Sequence, residues 1–146
     1  MIEPTIEIPE HLIYFFTVIK SYESNFNKCL EMYNINTVEI LILLEICNNE
    51  GLNQVDLVRK FHVTEANISQ TTKNLMKKGF ITKEIDPNHN SKKLLFLTEK
   101  GHELCEELLV MFRNWNHKVI KGIDMDDLVS FGETLELIYA NCLDLI

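Results

Sequence analysis

The sequence predicts a mainly α-helical chain that carries one small β-hairpin. Three observations predict it. Apolar side chains recur at three- and four-residue steps over long stretches near both ends. Short polar residues suited to helix N-termini stand at positions 37, 53, 64 and 98. Between positions 80 and 97, two short β-rich runs flank a stretch of turn composition.

The elements follow in order. Pro9 and Glu10 open a helix whose stripe is Leu12, Phe15, Phe16, Ile19, Tyr22, Phe26 and Leu30, running to about Met32. Asn34 and Asn36 break it. Thr37 is a candidate N-cap for a second helix, Val38 to Cys47, whose nearly continuous apolar run Ile40 to Leu44 predicts a central buried position. Asn48-Asn49-Glu50-Gly51 ends it, with Gly51 suited to a left-handed cap. Asn53 caps a short third helix, Gln54 to Phe61, with Val55, Leu57, Val58 and Phe61 inward. After the tight link His62-Val63, Thr64 caps a fourth helix running to about Lys78, with Ile68, Thr72, Leu75 and Met76 available to the core and Gly79 as the stop. Lys77 and Lys78 complement its dipole. Phe80 to Ile85 and Lys93 to Leu97 read as paired strands, and Asp86-Pro87-Asn88-His89-Asn90-Ser91-Lys92 as the polar turn between them. Thr98 caps a long fifth helix carrying Leu104, Leu108, Met111, Phe112, Trp115 and Val119. Gly122-Ile123-Asp124 interrupts, and a sixth helix from about Met125 carries Leu128, Phe131, Leu135, Ile138, Tyr139 and Leu143.

The chain has 146 residues, 46% of them hydrophobic and 25% charged, which suits a soluble globular domain with a real core. The start, Met1 to Glu7, is acidic and lacks the pattern of a signal peptide. Runs such as Leu12 to Phe16 and Ile40 to Leu44 are too short to span a bilayer. A cytoplasmic protein without a membrane partner is expected. Cys29, Cys47, Cys105 and Cys142 form no C-x-x-C pair, which predicts buried reduced thiols rather than a disulfide framework or zinc knuckle.

The net charge of −8 taken alone argues against nucleic acid. Its distribution argues the other way. Residues 51–100 hold nine Lys/Arg against five Asp/Glu, a net of +4, which leaves −12 for the remainder. A basic segment in an acidic protein marks a candidate polyanion-binding region, although lysines also simply solvate helix faces.

The order helix, helix, helix, hairpin, with so short a link between the third and fourth helices, is that of a winged helix-turn-helix. The second helix of such a pair enters the major groove with its N-terminal half on base edges. Here that helix shows Thr64, Glu65, Ala66, Asn67, Ser69, Gln70, Thr71, Lys73 and Asn74. Asn and Gln can pair bidentately with adenine, while Lys73 and Lys77 can reach phosphates. Such a polar face is also what any solvated helix shows. The short link, the polar helix and the basic hairpin flank at Lys92 and Lys93 favour DNA together.

The segment Leu57 to Gly101 resembles the MarR family of winged-helix regulators. The resemblance rests on Val63-Thr64-Glu65-Ala66-Asn67-Ile68-Ser69-Gln70-Thr71-Thr72-Lys73-Asn74-Leu75-Met76-Lys77-Lys78-Gly79-Phe80-Ile81, on Asp86-Pro87, and on Leu95-Phe96-Leu97-Thr98-Glu99-Lys100-Gly101. With the flanking helices it covers essentially the whole chain. It implies one domain over residues 1–146, with 37–100 as the winged DNA-binding part and 9–33 and 101–146 as dimerisation helices. It implies a homodimeric repressor on palindromic double-stranded operator DNA, released by a small-molecule effector, without enzymatic activity or a cofactor. The many large apolar residues of the terminal helices fit a dimer; packing on the winged part is the alternative.

The wing departs from the family. Family wings carry arginines that reach the minor groove, whereas none stands here between Arg59 and Arg113. Asn88, His89 and Asn90 remain for the groove, and Lys92 and Lys93 for phosphate. This departure, with the −8 charge, sustains a rival reading: a dimeric winged-helix module that binds ligand or protein and DNA weakly or not at all. Tyr14, Tyr22, Phe112 and Trp115 are candidate lining residues of an effector pocket, and equally candidate core. His102 and Cys105 lie one turn apart, but two mixed ligands do not make a metal site. Redox sensing by Cys29 needs a lowered thiol pKa, for which only Lys28 is at hand. No phosphate-cradling glycine loop or catalytic motif is present.

Overall fold

The computed structural model describes residues 8–146; the acidic start read for a signal peptide lies outside them. The elements are α1 (Ile8–Tyr33), α2 (Thr37–Asn48), β1 (Leu52–Asn53), α3 (Gln54–Phe61), α4 (Glu65–Lys77), β2 (Ile81–Asp86), β3 (His89–Leu97), α5 (Glu99–Val119) and α6 (Met125–Leu143). This is the expected mainly α fold with a small antiparallel wing. None of the described helices is long and apolar enough to cross a membrane. The chain forms two compact units, Met1–Phe112 and Arg113–Ile146, and the division falls within α5.

In the first unit the core is built on α2, as its apolar run implied. Ile40, Ile42, Leu43 and Ile46 are buried with Phe26 of α1, Leu57 of α3, Ile68 and Leu75 of α4, Leu95 of β3, and Leu104 and Leu108 of α5. Val55 and Met76, expected inside, are exposed. Leu57 and Leu75 already fill the inward stripe of their short helices. The cysteines divide as well: Cys29 and Cys105 are buried, Cys47 is half-buried and Cys142 is exposed, all of them free thiols.

The start of α2 differs from expectation. Asn36, not Thr37, is the N-cap, and its side chain accepts from the Glu39 N–H at 2.8 Å. Glu39 reaches back to the Asn36 N–H at 3.1 Å, completing a capping box. The Glu39 side chain is buried, and Lys78 at the end of α4 answers its charge at 2.9 Å while also donating to the Asn34 carbonyl. Lys78 thus ties α4 to α2 rather than only facing the dipole of its own helix.

Gly51 has the left-handed backbone expected of it, at φ 82°, but α2 has already ended at Asn49. Gly51 instead donates its N–H to Leu95 at 2.8 Å and feeds β1, a strand too short to show in the sequence. The sheet order is β1-β3-β2, all antiparallel.

The junction of α4 and α5 explains the glycine-rich ends of the resembling segments. Gly79 turns with φ 84°. Thr98 donates its hydroxyl to the Gly79 carbonyl at 2.6 Å and accepts from the Gly101 N–H at 3.0 Å. Lys100 donates to the Lys78 carbonyl at 2.9 Å and lies 4.6 Å from the Phe80 ring centre. Gly101 approaches so closely that a β-carbon there would collide with the Phe80 carbonyl oxygen.

The second unit holds the end of α5 and α6. Among the described residues α6 has no buried side chain, and Met125, Val129, Phe131, Leu137 and Tyr139 are exposed along it.

Candidate nucleic-acid interface

Helix α4 is presented by its neighbours. His62 closes α3 in the left-handed region at φ 52°, which lets the chain reverse within residues 62–64. Thr64 then caps α4 by accepting the Asn67 N–H at 3.1 Å. Ile68, Thr72 and Leu75 fix the buried face. The Thr72 hydroxyl bonds the Ser69 carbonyl at 3.0 Å and Gln54 of α3 at 3.4 Å, fastening the two helices.

The remaining faces of α4 are open. Glu65, Ala66, Asn67, Gln70, Lys73 and Lys77 are exposed, while Ser69, Thr71 and Asn74 are half-buried. The Asn67 side chain is free of the cap bond, which uses its backbone. Gln70 donates to Asn74 at 3.0 Å, so its amide is pre-oriented along the helix. Two clefts flank the first turns of α4. One lies against Gln54, Val58, Ser91 and Lys93, and the other against Asn36, Val38 and Val63.

The wing is tighter than its composition suggested. Turn residues were expected from Asp86 through Lys92, yet β3 begins at His89 and only Pro87 and Asn88 lie between the strands. Asp86 accepts the Asn88 N–H at 2.9 Å, a side-chain-stabilised turn. The register slips between Ile85 and Asp86, so Asn90, Ser91 and Lys92 have no Cα partner on β2. Ladder pairing beyond the bulge outweighs the turn propensity of these residues. His89 shares a 2.8 Å hydrogen bond with Ser91. Asn88, His89, Asn90, Lys92 and Lys93 are all exposed.

The lysines of 51–100 divide into two groups. Lys60 is paired with Glu45 at 2.7 Å, Lys78 with Glu39, and Lys100 is bonded to a backbone carbonyl. Lys73, Lys77, Lys83, Lys92 and Lys93 form no ion pair among the described residues. Lys83 was missed from sequence because it sits mid-strand. Burial first, then the positive charges of Lys93 and Lys73, hold its ammonium below its ordinary pKa.

The other candidates disperse. His102 is paired with Glu50 at 2.9 Å, whereas Cys105 is buried and its thiol donates to the Leu43 carbonyl at 3.7 Å. Burial, Cys47 and Glu50 push the Cys105 thiol up to about 12. Among the described residues no three metal-ligating side chains converge. Burial and Glu107 raise the Cys29 thiol against a lowering by Lys28, the opposite of what a sensing thiol requires. Of the four pocket candidates, Tyr22 and Phe112 are in edge contact at 6.5 Å. Tyr14 is exposed and bonded to Glu10 on its own helix, and Trp115 belongs to the second unit.

Comparison with known proteins gives concordant results. A family model described as MarR family matches residues 35–90. An HTH-type transcriptional regulator, BilQ of Clostridioides difficile, is 26% identical over 102 residues, covering 70% of this chain and 69% of the relative. An uncharacterized HTH-type transcriptional regulator of Bacillus cereus is 31% identical over 83 residues, 57% of this chain and 54% of that one, so the match spans about half its length. Among solved structures, a MarR family regulator of Listeria monocytogenes complexed with 26mer DNA is 27% identical with a TM-score of 0.82, over 91% of this chain and 89% of that one. The crystal structure of MarR is 21% identical with a TM-score of 0.75 over 99% and 97%, a likeness of fold.

Proposed function

Because the chain belongs to the MarR family of winged-helix transcriptional regulators, we propose that it is a homodimer that binds palindromic operator DNA sequence-specifically and responds to a small molecule. The observation that carries this reading is the α4 surface. Its first turns expose Asn67 and Gln70 between two clefts, beside a wing of exposed polar and basic side chains. In this reading residues 37–100 hold the DNA. Thr64, Glu65, Ala66, Asn67, Ser69 and Gln70 face bases, and Lys73, Lys77, Lys92 and Lys93 face phosphates. Asn88, His89 and Asn90 stand at the wing tip over the minor groove. The Listeria relative bound to 26mer DNA supports it.

Residues 9–33 and 101–146 are the dimerisation helices. Support comes from side chains that a lone chain leaves in water: Phe15 and Phe16 on α1, and Phe131, Leu137 and Tyr139 on α6.

The test is binding of the purified protein to a fragment from upstream of its own gene, against random duplex, at several salt concentrations. Selective binding that weakens steeply with salt is expected. Asn67→Ala or Gln70→Ala should change the preferred site, each base contact being worth about 1–3 kcal/mol of discrimination. Lys73→Gln should weaken every sequence alike. Equal losses on all sequences from the three changes would refute these roles. The arginine-free wing and the −8 charge favour a second reading, a dimeric ligand- or protein-binding module, which predicts no salt-dependent binding to any duplex.

A further inference from the structure

We propose that Lys73, Lys83 and Lys93 form one phosphate-binding locus at the junction of α4 and the wing, with Lys83 at its centre. The inference rests on the DNA-binding reading and adds to it a residue that neither the turn composition of the wing nor the polar face of α4 indicates.

The placement follows from the strand register. Lys83 lies opposite Leu95, and Ile85 opposite Lys93. Directly paired residues share a face, and so do residues two apart on a strand. Ile81, Lys83, Ile85, Lys93, Leu95 and Leu97 therefore project from one side of the hairpin. Ile81, Leu95 and Leu97 are buried, so this is the side that turns toward the core. Lys83 stands where that side leaves the core, and Lys93 lies one step further out, opposite the exposed Ile85. Lys73 of α4 completes the group, close enough that its charge, with that of Lys93, acts on the half-buried Lys83.

Three like charges gathered in this way repel, and no acid answers them. None of the three forms an ion pair among the described residues. Glu65 lines a cleft with Lys93 but is not paired with it. Glu84 projects from the opposite side of β2, and Asp86 is engaged with the Asn88 N–H. The fold pairs Lys60 and Lys78 with buried or half-buried glutamates, yet leaves this group open. An uncompensated cationic group on the surface that faces DNA is an anion site, and a duplex supplies phosphates in a row. A locus here also gives the wing a positive anchor at its base, where the arginines of family wings are absent at its tip.

The experiment compares the full-length protein with Lys83→Gln, Lys83→Arg and Lys20→Gln. Each is titrated with one random-sequence duplex across a salt series, and each is also melted without DNA. Loss of one phosphate contact lowers the log–log salt slope by about one unit per bound chain. Between about 50 and about 200 mM salt, the affinity of K83Q should therefore fall about 3–4-fold less than that of the wild type for each chain bound, and about 12-fold less for the proposed dimer. K83R should keep the wild-type slope. K20Q should keep it too, since Lys20 is paired with Glu23 on α1. Without DNA, K83Q should melt at or above the wild-type temperature, because the change relieves repulsion. A wild-type slope in K83Q, beside salt-dependent binding by the wild type, would overturn the locus and leave the DNA reading standing. A K83Q melting temperature below that of the wild type would show that Lys83 is held by attraction and would overturn it as well. No salt-dependent binding by the wild type would overturn both.

Discussion

Replacing Lys78 with methionine removes the ammonium from a buried carboxylate and keeps an unbranched side chain of similar length. Glu39 is 1% exposed, and Lys78 is 2.9 Å from its Oε2 and 3.1 Å from its Oε1. Breaking a fully buried pair from one side costs about 3–5 kcal/mol, because the remaining charge is left without compensation. Two features reduce the figure here. The Asn36 N–H still bonds Glu39 at 3.1 Å, and 26% of the Lys78 side chain is in solvent, where water can replace it. We therefore expect a loss of about 2–3 kcal/mol. At this chain length about 2–4 °C of melting temperature corresponds to each kcal/mol, which gives about 4–12 °C. The assay is urea and thermal unfolding at fixed protein concentration, since an oligomer's stability depends on concentration. A double-mutant cycle with Glu39→Gln isolates the pair, because Gln retains the capping box. A loss below about 0.5 kcal/mol for K78M would place the pair among screened surface ion pairs and refute the reasoning.

Gly101→Ala should destabilise by about 3 kcal/mol, since its β-carbon meets the Phe80 carbonyl oxygen and backbone cannot yield cheaply. Gly132→Ala, in α6 with nothing within 4 Å, should instead gain about 0.5–1 kcal/mol, and unfolding curves of the two variants check both signs. Folding raises the Cys105 thiol from 9.0 to about 12, so the unfolded chain releases this proton first. That contribution is complete below pH 9 and is lost as pH rises toward 12. Wild-type stability should accordingly fall more steeply than that of Cys105→Ala over this window. A thiol reagent at pH 8 should label exposed Cys142 well before Cys105, as mass spectrometry of the labelled peptides can show. In the proposed dimer, Phe131→Glu, a charge on an exposed apolar position of α6, should shift the sedimenting species from dimer to monomer without unfolding α4.

Much of the fold was legible in the sequence because its signals are local. N-capping at Asn53, Thr64 and Thr98 needs only the next three residues, and the stripe of α4 needs only its own period. The polar face of α4 was legible for the same reason: Ile68, Thr72 and Leu75 define one side, so Asn67, Gln70 and Lys73 must take the others. The errors lie where a neighbour decides. Asn36 displaced Thr37 as the cap because Glu39 stands three residues beyond it, and pairing with β3 made a strand of Leu52–Asn53.

The sequence by itself determined the element order, the buried α2 and the polar face of α4, all of which follow from spacing along the chain. Tertiary structure decided which charges are free. Lys60, Lys78 and Lys100 look no different from Lys73, Lys83 and Lys93 in the sequence. Only the first three meet an acceptor in the fold, and only the last three gather without one. The physical reason is range: capping and periodicity act over a few residues, whereas electrostatic pairing joins side chains that the chain separates by tens of residues and the packing of α2, α4 and the wing brings together.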